Sequence, residues 1–493
     1  MMSKIRSIAN DLLNNNKKIT WFYVITGIFV ITNSLLTAFE IYYLNLVPVF
    51  VLLLIAAFVS VDKLLYFIVF FTPLSLALKE FYPDLGFNVQ LPTEPFIAGV
   101  MFLFFLKMLI EQNFDKKILR HPVTIAIIIN LSWLLITSLT STMFIVSIKF
   151  LISRLWYVIA FYFIGTQIFV NINKIKTFSW LYIVPFLIVI IYTITRLWMY
   201  GLLNQQAANW VMTPFYKDHT SYGALLAMFI PVLVGFAGFS NYSKNIKAIV
   251  WLLIGIFLFA LVLSYTRAAW LSILGALMVL VVVLMKIKFK TIVILALIAF
   301  AIAFQYREQL FINLEKNKQD ASADFKEHIK SISNVASDAS NLERINRWKS
   351  ALRMFQEKPV LGWGPGTYMF KYAPFQFSYE KTIISTNAGN MGNAHSEYIG
   401  PLAESGVLGT LTFLAIIITT IYTGIRVFRR AKEKELKMFA MVFLLGLITY
   451  YLHGFLNNFL DTDKASVPFW GFTAILVALD VYHSPEKEIE IKK

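Results

Sequence analysis

The sequence predicts an all-α polytopic membrane protein, with about 12–14 transmembrane helices and one large extracytoplasmic loop. Three observations predict it. Of the 493 residues, 58% are hydrophobic and the mean hydropathy is +0.67, more apolar surface than a soluble core can hide. Apolar runs of roughly 18 to 23 residues recur along the chain, each long enough to cross a hydrocarbon layer of about 30 Å. The charges between these runs agree on a single orientation.

The apolar runs lie near residues 20–39, 41–60, 64–79, 95–110, 122–140, 146–170, 178–200, 219–239, 246–264, 267–285, 290–305, 406–426, 437–457 and 466–482. With a cytoplasmic N-terminus, the inside loops hold Lys63; Lys116, Lys117 and Arg120; Lys174 and Lys176; Lys244 and Lys247; and Lys286, Lys288 and Lys290. The dense set from Arg426 to Lys437 falls on the same side. The outside loops carry few cations (Lys79, Lys217, Arg267, Lys464) beside Glu80, Asp84, Glu94, Asp218, Asp461 and Asp463. Both termini are therefore expected inside. The net charge of +16 is explained by topology, and nucleic acid is not an expected partner. Residues 1–19 are polar and basic and lack a small-residue cleavage site, so the first run reads as an uncleaved anchor. There is no cysteine, which excludes disulfides and thiolate metal sites.

The expected organisation is a cytoplasmic N-terminus (1–19), an N-terminal transmembrane bundle (20–305), a large extracytoplasmic loop (306–405), C-terminal transmembrane helices (406–482) and a cytoplasmic tail (483–493). Long loops are usually functional or disordered. The polar stretch "KNKQDASADFKEHIKSISNVASDAS" reads as disordered. In contrast, "NLERINRWKSALRMFQEK" places Leu342, Ile345, Trp348, Leu352 and Phe355 at helical spacing, which predicts an amphipathic helix over 341–357. "PVLGWGPGTY" then turns the chain. No internal repeat is visible, which argues against an inverted-repeat transporter.

Charged residues at the outer membrane ends are the candidates for chemistry. Arg267 opens the tenth run in "LSYTRAAWLSIL", either as an interfacial arginine snorkelling to headgroups or as a functional cation. Arg344 and Arg347 share one side of the loop helix. They are either a solvated face or a planar pair suited to phosphate oxygens. His395 has no HxxxH or HxH partner, so no metal site is expected; a histidine near neutrality can act as a general base. His219, beside Asp218, reads first as an interfacial residue and second as a lining group of the same pocket. Arg154 lies deep in its run and should face the protein interior.

These residues fall on one pattern. "HSEYIGPLAESGVLG" resembles the signature of the O-antigen ligase and polymerase superfamily: His395, Ser396, nine residues, Gly406, two residues, Gly409. "RINRWKSALRMFQEKPVLGWGPGTY" is similar to that family's arginine–tryptophan loop helix and glycine-rich turn, and "SYTRAAWL" to its arginine at the outer end of a preceding span. The resemblance covers roughly residues 210–460. It implies a membrane-embedded C-type glycosyltransferase of the bacterial inner membrane, active at the periplasmic face in building the cell envelope. The implied donor is a glycan on undecaprenyl pyrophosphate. The acceptor is lipid A–core in a lipopolysaccharide ligase, another polysaccharide repeat unit in a polymerase, or a protein hydroxyl in an O-oligosaccharyltransferase. No metal, nucleotide or other cofactor is implied. By motif match, the functional arginines fall on Arg267 and Arg344 and the histidine on His395. Arg347 is not the matching position and at most assists.

The residue types suit the implied reaction. Fixed cations stabilise charge growing on a pyrophosphate leaving group, and a neutral histidine accepts the proton of the attacking hydroxyl. Tyr398, three residues on, is expected to flank His395 if the segment is helical. Glu404 would then lie on the opposite face and satisfy backbone donors or another cation. Gly400–Pro401 should interrupt the helix, so the span is expected to begin at Gly406, with His395 to Ser405 lying along the membrane surface. A lipid-linked glycan transporter is the competing reading of another class. Ligase is preferred on the His-Ser-x₉-Gly-x-x-Gly match.

Overall fold

The computed structural model describes residues 16–39, 44, 48, 61–82, 89–111, 114–238, 242–287, 291, 294, 305, 339–382, 385 and 392–484. The expected runs 41–60 and 290–305, the polar stretch before residue 339 and the chain beyond 484 lie largely or wholly outside them. The described chain is all-α apart from one two-stranded ribbon. The helices that matter are α1 (Asn16–Ala38), α2 (Val61–Phe71), α3 (Thr93–Glu111), α4 (Pro122–Leu139), α5 (Phe144–Ile168), α6 (Ile172–Tyr200), α7 (His219–Ala237), α8 (Lys244–Leu263), α9 (Arg267–Leu284), α10 (Ala339–Glu357), α11 (Ile399–Arg430), α12 (Lys434–His453) and α13 (Asp463–His483). Ten of them, α3 to α9 and α11 to α13, are long and apolar enough to cross a membrane. This is a multi-pass membrane protein.

The centre of the bundle is α12. It packs on α7, α9, α11 and α13, and α12 and α13 are the most enclosed spans with α7. On the other side of α11 lies α4, and the loop helix α10 rests against α11. The core of the bundle is an aromatic-rich cluster running from Leu64 to Leu479, and a second, smaller cluster (Ala351, Met354, Tyr368, Tyr372, Ala394, Ala403) lies beneath the loop helix. Arg154 faces inward as expected, pairing with Asp461 at 3.3 Å.

Two readings change. The apolar run 64–79 does not continue as a span: α2 stops at Phe71, before Pro73, and Leu76–Ala77 (β1) pairs antiparallel with Gln90–Leu91 (β2). Glu94, Asp463 and Lys464, which read as loop charges, are instead buried together. Lys464 Nζ donates to the carbonyls of Thr72 and Ser75 at 2.8 and 2.7 Å. Asp463 accepts from Ser75 Oγ and Thr93 Oγ1 at 2.5 and 2.6 Å, and Glu94 accepts from the Tyr157 hydroxyl at 2.9 Å. Carbonyls released where α2 ends thus find a lysine instead of water, and the junction staples residues 72–94 to α13.

Removing one member of such a junction strands its partner. Lys464→Met is expected to lower stability by ~3–5 kcal/mol, whereas Lys432→Met, at an exposed position, should change it by less than ~0.5 kcal/mol. Thermal unfolding of the two purified variants in detergent measures both.

Candidate active site

The site is built around a break in α11. Its first turn begins at Ile399, so Pro401 stands in a first turn whose N–H groups lack intrahelical partners anyway. The proline therefore does not interrupt the helix, contrary to the expectation for Gly400–Pro401. The interruption comes at Gly406, with φ +69° and ψ −171°. A Cβ there would stand 2.0 Å from the Val360 carbonyl oxygen. Glycine is required by both the backbone angle and the close approach.

A break inside a membrane helix leaves carbonyls without partners, and here three of them are met by other segments. Trp363 N donates to Ala403 O at 3.0 Å, Gly364 N to Glu404 O at 2.8 Å, and Trp133 Nε1 to Ser405 O at 2.8 Å. Val407 N donates to Pro359 O at 2.9 Å. The glycine-rich turn after α10 is thus the clamp that holds the break. Glu404 is half-buried under this turn and its carboxylate accepts from Tyr368 N at 2.9 Å. It satisfies a backbone donor, as expected, but does not lie free on the membrane surface.

His395 sits just before the first turn, outside any helix, with φ +48°. A non-glycine residue in this left-handed region is strained and persists only where its surroundings hold it. Asn393 Oδ1 accepts from His395 N at 3.1 Å. Ser396 Oγ accepts from Tyr398 N and Ile399 N at 3.2 and 3.3 Å, capping the first turn. Glu397 N donates to Gly454 O at 2.8 Å, and the Glu397 carboxylate accepts from Tyr450 Oη, Phe459 N and Leu460 N at 2.7, 2.8 and 2.9 Å. One glutamate fastens the histidine strand to the turn between α12 and α13. Because His395 is not helical, the three-residue spacing to Tyr398 does not hold: the Tyr398 ring packs on Phe455 and Phe413, and its hydroxyl donates to Tyr451 O at 2.7 Å.

The arginines come from α10 and α9. The buried face of α10 is Glu343, Asn346, Arg347, Ser350, Ala351 and Met354, not the apolar stripe, and Leu352 is 43% exposed. The layer beneath the helix is polar. Glu343 pairs with Arg347 at 2.6 Å and accepts from Thr382 and Ser385, while Asn346 reaches Gln376 at 2.8 Å. Arg347 is locked: its guanidinium lies over the Tyr372 ring at 4.0 Å and against Gly392, where a Cβ would meet it at 2.1 Å. Arg344 points elsewhere. Its Nε donates to Leu456 O at 3.1 Å, and burial and the nearby Arg267 guanidinium pull its pKa down to about 10, against Asp218. It remains charged at neutral pH. Thr266 Oγ1 donates to the His219 carbonyl at 2.8 Å, which brings the start of α7 beside Arg267 at the start of α9.

His395, Arg344, Arg267 and His219 are therefore gathered at one end of the bundle. Arg347 supports them from behind, and Tyr398 and Glu404 serve the scaffold. Burial, then Arg344 and Arg347, push the His395 pKa down to about 4, with Asp218 and Glu343 opposing. Burial alone would raise Asp218, yet bonds from Thr220 Oγ1 and Ser221 N, with nearby His219 and Lys217, hold it below its usual value.

Three participants were missed in the sequence. His453, at the end of α12, is buried within the fields of Arg344, Asp218 and His219. Asp218 was read only as an outside-loop charge and a neighbour of His219, and Glu397 lies inside the quoted motif. The available signal was position: each stands at the same end of a span as Arg267.

The fold and the site define a multi-pass membrane protein with cations and a neutral imidazole gathered at one membrane end. Residues 248–414 match the family model described as O-antigen ligase, and Arg267, Arg344, Arg347, His395, Gly406 and Gly409 all lie within that match. The motif resemblance therefore stands, and this part of the chain is similar to the O-antigen ligase family. The N-terminal half lies outside the match. The chain has no match among curated proteins.

Two measurements check this geometry. Gly406→Ala forces a side chain into the left-handed region, at a cost of about 1–2 kcal/mol before any clash. It should lower the unfolding temperature, whereas Gly255→Ala, with open space around it in α8, should not. Nitrogen-15 NMR of His395 in the free protein should show titration near pH 4. Arg344→Gln removes a repelling charge and should move that value toward the unperturbed value near 6.5.

Proposed function

We propose that the protein transfers a glycan from undecaprenyl pyrophosphate to an acceptor hydroxyl at the periplasmic face of the bacterial inner membrane, with lipid A–core as the acceptor. The observation that carries this reading is the pairing of Arg267 and Arg344, two buried or half-buried cations set beside a histidine held neutral. Two guanidinium groups close together can grip adjacent phosphate oxygens with charge-assisted hydrogen bonds. A lipid pyrophosphate presents its phosphates at that depth. The periplasmic location rests on the charge of the loops, with lysine and arginine concentrated at the other end of the spans.

The acceptor oxygen forms a bond to the anomeric carbon, and the bond from that carbon to the pyrophosphate oxygen breaks. The electron pair moves onto the leaving pyrophosphate, where Arg267 and Arg344 stabilise it with contacts arranged beforehand. The acceptor proton passes to His395. In-line attack inverts the anomeric centre. A base of pKa about 4 is weak, but the carrier itself corrects this. Its negative charge opposes the effect of Arg344 and Arg347, so His395 becomes more basic once the donor is bound, while the effect of burial remains. Asp218 and His219 line the same end and hold the turn that presents Arg267.

Purified protein with labelled undecaprenyl-pyrophosphate glycan and lipid A–core tests the reading. Transfer to lipid A–core is expected; longer carrier-linked chains would mean a polymerase, and no covalent product with any acceptor would leave transport. His395→Ala is expected to reduce transfer about 10²–10⁴-fold, and Arg267→Ala and Arg344→Ala by at least as much, with insertion intact. A fully active His395→Ala enzyme would refute the base assignment.

A further inference from the structure

A second concentration of charge lies at the opposite end of the bundle, about 36 Å along α11 from Gly406 at 1.5 Å per residue. The start of α4 and the ends of α11 and α13 enclose a cavity of about 610 Å³, lined by Lys117, Arg120, Arg426, Arg430, Asp480 and Ser484. Only part of this charge is balanced. A π-helical turn, Leu479–His483, turns Asp480 into the cavity wall, where it pairs with Arg426. His121 accepts at Nδ1 from Val123 N at 3.2 Å, so its proton is on Nε2 and donates to Asp480 at 3.1 Å. Burial and Arg426 push the His121 pKa down to about 4, so it adds no charge at neutral pH.

Lys117, Arg120 and Arg430 remain, and none has an ion pair among the described residues. Arg426 and Arg430 are one turn apart, a repulsive spacing. Topology and the negative end of the α11 dipole account for cations on α11. Topology also places Lys117 and Arg120 on this side, but it does not by itself gather cations from two separate elements around one concavity.

The geometry points to a binding site for a phosphate-bearing anion in this cavity, held by Lys117, Arg120 and Arg430. Basic pockets between helices at a membrane face have this character. The anion comes either from an anionic phospholipid headgroup or from a soluble phosphate compound. The inference does not depend on the transferase reading.

Native mass spectrometry of the full-length protein, titrated with phosphatidylglycerol, phosphatidylcholine or inorganic phosphate, tests it. Retention of phosphatidylglycerol over phosphatidylcholine supports a lipid source. Displacement of phosphatidylglycerol by millimolar phosphate, or a phosphate-dependent rise in unfolding temperature, supports a soluble one. In either case the double substitution Arg120→Gln/Arg430→Gln should weaken binding about tenfold or more. Lys117→Gln should do so by a smaller factor. Lys244→Gln/Lys432→Gln, which removes as much charge outside the cavity, should leave binding within twofold. Equal retention of both lipids with no phosphate effect would overturn the site, as would equal losses in the two double variants.

Discussion

The chain breaks α11 at Gly406 while pairing the backbone groups around the break, and the architecture of the site follows from how this is done. Three carbonyls before the break are met by Trp363 N, Gly364 N and the Trp133 indole. Two of those donors belong to the turn that follows α10. Satisfying α11 therefore fixes the end of the loop helix against it, and with that helix the position of Arg344. The same first turn of α11 follows directly from His395. One hydrogen-bonding requirement sets two of the three groups that face the proposed reaction.

The third group arrives by a separate route. Arg267 opens α9, whose preceding residue, Thr266, bonds the carbonyl of His219 at the start of α7. Both helices pack on α12, which ends in His453. The cations are thus carried by rigid elements and not by a free loop. The surroundings divide their labour: Glu343 and Tyr372 hold Arg347 in place, while Arg344 lies within the fields of Arg267 and Asp218. In the proposed reaction such a site would receive an anionic ligand beside an imidazole that burial and the arginines keep neutral.

Much of this was readable in the chain. The spans from α3 to α9 and α11 to α13 are visible as apolar runs because each must face lipid or a greasy interior over its full length. The spacing from His395 to Gly406 and Gly409 is visible because a backbone break tolerates glycine and little else. Other features were hidden for physical reasons. Helical periodicity in α10 shows which face is apolar, but the face that is buried is the polar one, since its side chains satisfy each other and residues 376–385. Lys464 and Asp463 looked like loop charges because their partners, Ser75 and Thr93, lie more than 350 residues away in sequence. His453 carries no local motif, and only the end-on assembly of α7, α9 and α12 brings it near Arg344. Tyr398 was misjudged because the chain at His395 is left-handed and not helical.

The most direct test of the central claim is a structure of the protein with undecaprenyl pyrophosphate bound. The account predicts pyrophosphate oxygens within hydrogen-bonding distance of both Arg267 and Arg344, with the His395 imidazole facing the side from which a hydroxyl approaches the first sugar carbon. Pyrophosphate seated away from those two arginines, with His395 turned from it, would contradict the account.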